Sequence, residues 1–360
     1  MSAPWWGLAT VAVQQKLARA TATVPATMPL LYVEVIKRCN LRCQMCAFPS
    51  HYPDRGVLLS TDELLQIMRD ARELQTRIVS FGGGEPMLRD DILELVQAAR
   101  ENGQALHINT NGTRIDEAVA RRLSRADHLH LALSLDHIDA GPNDAIRGRG
   151  VRASVQRAND LLRAFAPAVR RSMNVTVGAH SLGSLERTVE RAFEWGMVGV
   201  KFQPVHHNLG HRYGPGDTPQ EMAVTPATAR QLGDEVRAAA LVAKDLGMAT
   251  SSDAYVDGMQ PYWRGQAQLK CYAGYLYGNI DPYGFLGPCY DHMQPLNVRE
   301  IGIVAAWRSE RMQRMRAAVR GCSNVCWNNG NAEPSLRMSA RKVLAQPDQL
   351  FRDIALNLGV

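Results

Sequence analysis

Between Leu31 and Gln203 the sequence alternates six times between a short apolar run and a stretch with helical apolar spacing, and few folds accommodate that rhythm. The strand-like runs are Leu31 to Ile36, Arg77 to Phe81, Ala105 to Asn109, His128 to Ser134, Met173 to Gly178 and Gly199 to Gln203. The first intervening helix opens on Ser60-Thr61-Asp62-Glu63, a capping box, and carries Leu64, Leu65, Ile67, Met68 and Leu74. Four more follow at 90–101, 115–124, 153–165 and 185–195. Strands joined by helices predict a parallel sheet with helices outside, curled by right-handed crossovers. Six units are too few to close an eight-fold barrel.

Around this block the sequence predicts a helix over 5–20, a linker to Pro29, and a loop rich in Gly, Pro and His from His206 to Thr225. Thr225-Pro226 then caps a helix reaching Leu246. A further compositional zone runs from near Cys271 to Gly330, with a helix at Ile303 to Val319, before a helical tail. These breaks divide the chain into 1–29, 30–215, 216–265, 266–332 and 333–360. The 360 residues suffice for a full core, and 46% hydrophobic with 21% charged residues is ordinary for a soluble domain. A net charge of +6 without a Lys/Arg block argues against a nucleic-acid partner. No run approaches the ~18–20 apolar residues of a membrane span, and no secretory signal opens the chain. Seven cysteines in two groups fit metal ligation in a reducing compartment, which predicts a cytoplasmic protein.

The first group, Cys39, Cys43 and Cys46, follows directly on the first strand. Three thiolates on one short loop suit a soft metal centre, either zinc or iron–sulfur. A structural zinc site closes with four ligands, and His51 is the only nearby candidate for a fourth. Three cysteines around a cluster instead leave one iron open to a ligand that is not protein. At the next strand ends stand Gly82-Gly83-Gly84-Glu85-Pro86, then Asn109-Thr110-Asn111-Gly112, then Ser134 and Asp136. Parallel α/β folds gather ligands at these ends. Glycines there permit close backbone approach, and a carboxylate can hold an ammonium. Glu34, alternating with Val33 and Val35, would point to the opposite face, and a buried carboxylate there implies a polar cavity.

With Asn40 and Leu41 behind the first cysteine, this set resembles the radical S-adenosylmethionine (radical SAM) superfamily. The resemblance implies a partial (β/α)6 TIM-like barrel with a small C-terminal twitch/SPASM-like α+β domain. It also implies a 4Fe–4S cluster on Cys39, Cys43 and Cys46, whose open iron is chelated by SAM. One electron would cleave SAM to a hydrogen-abstracting 5′-deoxyadenosyl radical. By the same resemblance Gly83, Gly84 and Glu85 bind the amino group of the methionine moiety, and Asn109 lies in a segment beside the cofactor. Ser134 and Asp136 take ribose hydroxyls, Arg147 lies near the SAM carboxylate and Gln203 near the adenine.

The second group comprises Cys271, Cys289, Cys322 and Cys326. Residues Tyr277 to Leu286 read as two short strands around an Asp-Pro-x-Gly turn, a hairpin that brings the first two cysteines together. Four thiolates can close one zinc or iron–sulfur site. The segment from Cys271 to Cys289, with Gly284 and Pro288, resembles the SPASM/twitch extension, which implies an auxiliary 4Fe–4S cluster.

An auxiliary cluster could take the electron left on a substrate radical, giving a net two-electron oxidation. All seven cysteines are then occupied, which disfavours a cysteine-quenched epimerase, although Tyr255, Tyr262 or Tyr272 could donate hydrogen. Some 30 residues precede the first strand, too few for a leader-peptide-binding domain. The sequence therefore favours a small-molecule substrate, a polyol or sugar-like metabolite, oxidised by a dehydrogenase-like enzyme that draws electrons from flavodoxin or ferredoxin. Maturation of a ribosomally made peptide, radical epimerisation and a non-enzymatic metal-binding interaction protein are the alternatives. His206, His207 and His211 could contact substrate or simply be solvated.

Overall fold

The structure, a computed structural model, describes residues 5–46, 54–206, 222–324 and 326–338. Six parallel strands run β1 (Leu30–Ile36), β2 (Ile78–Gly83), β3 (Ala105–Thr110), β4 (Leu129–Ser134), β5 (Arg170–Val177) and β6 (Gly199–Pro204). Helix α1 (Trp5–Thr21) precedes them. The crossovers carry α2 (Thr61–Asp70), α3 (Ile92–Glu101), α4 (Glu117–Arg122), then α5 (Ala140–Arg147) with α6 (Val151–Phe165), and α7 (Leu185–Glu194). The capping box at Ser60 forms as the sequence requires, with Glu63 N–H donating to Ser60 Oγ and Ser60 N–H to Glu63 Oε2.

Alternation sorts each strand into two faces. Leu31, Val33, Val79, Phe81, Leu106, Ile108, Leu131, Leu133, Met173, Val175 and Phe202 are buried in the main core with the helices. The opposite, inner face is polar. Ser80 Oγ lies 3.0 Å from His107 Nδ1, His130 Nε2 lies 2.8 Å from Ser172 Oγ, and Asn174 Nδ2 donates to Asn109 Oδ1 across β4. Glu34 belongs to this face and is buried, as its alternation predicts. Burial pushes His107 down to about 4 and His130 well below its ordinary value, so both rings are neutral.

The C-terminal hairpin does something the sequence did not announce. Strand β7 (Tyr277–Ile280) pairs parallel to β1, and β8 (Leu286–Gly287) pairs antiparallel to β7. One sheet of order β6-β5-β4-β3-β2-β1-β7-β8 results, so the hairpin extends the barrel wall instead of standing apart from it. On the other flank, α8 (Pro226–Asp245) leads to residues 249–251, which run along β6, and then to α9 (Asp253–Trp263). The helix expected over Ile303–Val319 is two, α10 (Val298–Arg308) and α11 (Glu310–Arg320). Ser309 adopts an extended conformation and caps the second, its side chain accepting from Met312 N–H. A short α12 (Ala332–Arg337) follows, and the rest of the expected tail helix lies outside the described residues. Among the described residues no helix is long and apolar enough to cross a membrane.

Candidate active site at the strand ends

Backbone hydrogen bonds hold the root of the first cysteine loop. Gly84 N–H donates to Ile36 C=O at 2.8 Å and Glu85 N–H to Arg38 C=O at 2.9 Å, immediately before Cys39. The contact is so close that a Cβ on Gly84 would lie 2.0 Å from Arg38 O, and one on Gly83, at φ +108°, 2.3 Å from Ile36 O. Gly82 differs, since a Cβ there would meet nothing within 4 Å. It borders open space on the inner face.

Glu85 is almost fully buried. Its Oε1 accepts from Thr110 Oγ1 at 2.6 Å and Met87 N–H at 3.0 Å, and its Oε2 from Asn111 N–H at 2.7 Å. Burial raises its pKa despite these three bonds. The carboxylate thus ties the glycine turn to the Asn-Gly turn after β3. Asn111, rather than Asn109, reaches the cysteines: its Nδ2 lies 3.9 Å from Cys39 Sγ and donates to Asn40 Oδ1 at 3.0 Å.

Helix α5, which the sequence reading passed over, supports the middle of the loop. Gln44 N–H donates to Ile146 C=O at 2.9 Å, Gln44 Nε2 to Ala145 C=O at 2.9 Å, and Cys43 Sγ lies 3.9 Å from Arg147 O. Arg147 is itself buried against Asp136. Its Nη2 donates to Oδ1 at 2.8 Å, and Nε sits 2.6 Å from Oδ2 without hydrogen-bond alignment. Asp136 Oδ1 also accepts from Thr176 N–H. Asp136 is fully buried, and its carboxylate is paired with Arg147. Ser134 remains half-buried on the inner face.

Gln203 is engaged as well. Its Oε1 accepts from Asn329 N–H at 2.8 Å, and its Nε2 reaches His206 Nε2 at 2.7 Å and Pro204 C=O at 3.4 Å. Of the tyrosines considered, Tyr255 is fully buried and stacked on Trp327, Tyr272 is buried beneath Arg19, and Tyr262 lies 3.2 Å from His206 Nδ1. His51, His207 and His211 lie outside the described residues.

Cys39, Cys43 and Cys46 feel one another's charge, and burial pushes Cys39 up and Cys43 up to about 11. Such thiols stay protonated until a cation displaces the protons. The second group converges in the same way. Cys271 and Asp291 act on Cys322, while Asp291, Cys289 and Cys271 act on Cys326. Cys289 is buried and pushed up to about 12. Cys326 Sγ lies 3.4 Å from Asp291 Oδ2, an acid that the sequence reading missed although it stands two residues beyond Cys289. Among the described residues no three ligating side chains are gathered tightly enough for a single metal ion. The donors of both sets are cysteine thiols, the ligands that iron–sulfur clusters take, and in that chemistry both sets fit such a group.

Comparison with known proteins agrees with this geometry. Residues 33–192 match the model of the Radical SAM superfamily. The PqqA peptide cyclase of Granulibacter bethesdensis is 27% identical over 275 residues, 75% of this chain and 69% of that protein. The mycofactocin maturase MftC of Mycobacterium ulcerans is 37% identical over 165 residues, 45% of this chain and 44% of that protein. Among solved structures, Streptococcus suis SuiB bound to precursor peptide SuiA superposes with a TM-score of 0.66 at 19% identity, over 89% of this chain and 73% of that one. The cysteine loop and the glycine turn locked to its root lie within residues 33–192, the part of the chain that matches the Radical SAM superfamily.

Proposed function

We propose that this chain is a peptide maturase, a radical SAM enzyme that removes hydrogen from a residue of a ribosomally made peptide. The observation that carries this reading is the likeness to the PqqA peptide cyclase over three quarters of the chain. The small-polyol reading is set aside. Its argument from the residues ahead of β1 concerned where a peptide-binding module could stand, not what the open barrel face accepts. The inner face alone does not choose, since its hydroxyl, imidazole and amide groups would serve a polyol or a peptide backbone equally.

In this reading Cys39, Cys43 and Cys46 hold the SAM-binding 4Fe–4S cluster, and Cys271, Cys289, Cys322 and Cys326 an auxiliary cluster. When bound, these groups supply one-electron cleavage of SAM to a hydrogen-abstracting radical and a second one-electron centre. The chain's own contribution is positional. Gly83 and Gly84 bring the backbone close to the cysteine loop, and Gly82 leaves room on the inner face. Glu85 holds two turns in register and keeps a further acceptor site on Oε2 for an ammonium. Asn109, Ser134 and Asn174 line the inner wall. The net reaction in this reading is an oxidation, fed by a flavodoxin- or ferredoxin-type donor.

The test is anaerobic reconstitution with SAM and dithionite against a synthetic peptide panel and a polyol and cyclitol panel. Peptides should lose mass in hydrogen units with 5′-deoxyadenosine formed. Conversion of polyols alone would sink the reading.

A further inference from the structure

Tyr277 opens β7 and is fully buried, hydroxyl included. Its phenol oxygen lies 3.8 Å from Cys271 Sγ, its hydrogen-bond partner. The same sulfur accepts from Ala273 N–H at 3.4 Å. Tyr277, Ala273, Cys289 and Val319 pack as one small buried cluster, with Cys271 against it. The hydroxyl therefore stands among the second group of cysteines, at a place where a phenylalanine ring would fill the same space.

A hydroxyl buried beside a neutral thiol is poorly paired, since a thiol is a weak acceptor, and such burial is a net cost. Metal binding changes the partner. A cysteine gives up its proton when it ligates iron, and its sulfur then carries charge and can only accept. A phenol keeps its hydrogen at neutral pH, so Tyr277 O–H becomes the donor of a charge-assisted bond. Its hydroxyl is thus matched to the loaded site and not to the empty one. On its other side the Tyr277 ring meets Tyr32 edge-on, with centroids 5.5 Å apart and planes at 80°. Tyr32 is half-buried on the inner face of β1, opposite Ser80, so the two rings link the second cysteine group to the barrel wall.

We propose that the Tyr277 hydroxyl donates to the Cys271 sulfur of the auxiliary cluster and raises that cluster's reduction potential. The positive end of a donor favours the state with one electron more, and hydrogen bonds to the sulfurs are among the terms that set such potentials. The presence of the cluster rests on the function proposed above, which puts it on Cys271, Cys289, Cys322 and Cys326. Tyr277 acts through Cys271, so it is a positioning residue and not a ligand.

The experiment is a potentiometric titration of the anaerobically reconstituted full chain, followed by electron paramagnetic resonance. The first cluster is recognised by the change of its signal when SAM is added, and it serves as the internal reference. Tyr277→Phe should keep wild-type iron and sulfide and leave the first midpoint in place. Its auxiliary midpoint should move to more negative potential, by roughly tenfold in the reduction equilibrium or about 59 mV for one electron. Tyr32→Phe, which keeps both rings and removes only the hydroxyl on the inner face, should leave the auxiliary midpoint where it is. An unchanged midpoint in Tyr277→Phe, or an equal shift in Tyr32→Phe, overturns the hydrogen bond while both clusters stand. Loss of the second site's iron from a folded Tyr277→Phe overturns it too, because the hydroxyl would then serve assembly instead of tuning. A wild type that takes up about four irons per chain instead of about eight holds no second cluster, and there the reading of function and the hydrogen bond fall together.

Discussion

The two cysteine groups are built in opposite ways. Cys39, Cys43 and Cys46 lie within eight residues, and every support reaches them from a neighbouring strand end: Gly84 and Glu85 after β2, Asn111 after β3, Ala145 and Ile146 in α5. The second four span 56 residues and meet only because a hairpin, a helix and the segment past that helix converge. A site on one loop fails through its backbone contacts. A site assembled from several elements fails only when those elements separate, so substitutions in the barrel should strike the two differently.

The largest difference should come from Gly84. A methyl there would stand 2.0 Å from Arg38 O and 2.8 Å from Lys37 O, and neither backbone atom can yield without moving the loop. Gly84→Ala should cost more than about 3 kcal/mol and reduce iron bound at the first site, while the second keeps its share. Gly82→Ala, with open space at the same turn, should fold within about 1 kcal/mol of wild type. Iron and sulfide per chain with thermal melts checks both, and equal behaviour of the two variants would remove the backbone clamp from the account.

Arg147 comes next. Its partner Asp136 is fully buried, so Arg147→Met strands a carboxylate and should cost about 3–5 kcal/mol by chemical denaturation. Adding Asp136→Asn should recover much of that loss. An Arg147→Met variant as stable as wild type would show that the pair is not a support of the cysteine loop.

The two groups also differ in how far the sequence revealed them. Local signals were legible: the capping box at Ser60, the six strands, the cap at Thr225 and the first cysteine loop all follow from residues within one turn or one strand. Pairings over long separations were not. Nothing in Tyr277-Gly278-Asn279-Ile280 says that it lies beside Leu30 to Val33 instead of forming its own sheet. Asp136 and Arg147 are eleven residues apart, and their ion pair is set by tertiary contact that no local signal announces. Helix α5 was missed because its opening residues, Ala140-Gly141-Pro142-Asn143, carry no apolar stripe. Tyr262 could be named as a hydrogen donor, but its partner was set by tertiary contact alone.

A smaller effect separates the inner wall from both metal sites. His107 is held neutral by burial, with a pKa near 4 against an ordinary 6.5, and burial also holds His130 well below its ordinary value. Unfolded chains bind these protons first, so stability should decline as pH falls from about 6.5 towards 4. His107→Gln should flatten that slope, measured by denaturant midpoints across the window. An unchanged slope would mean that other groups carry the acid sensitivity.

The smallest expected effect sits where the two regions touch. Arg299, at the start of α10, forks onto Glu63 at the start of α2 and donates to Leu58 C=O and Tyr283 C=O. It therefore ties the segment after the hairpin to the helix after the cysteine loop. Arg299 holds the Glu63 carboxyl down to about 2, yet both side chains are about a third exposed, and solvent weakens such pairs. Arg299→Met should cost at most about 1 kcal/mol at neutral pH. Because the folded carboxyl titrates lower than the unfolded one, the contribution is complete above about 4.5 and disappears as pH falls towards 2. The difference between wild type and variant should therefore shrink over that window. A difference that persists unchanged at low pH would mean that the arginine works through the two carbonyls alone, and that the regions are joined by backbone contacts and not by charge.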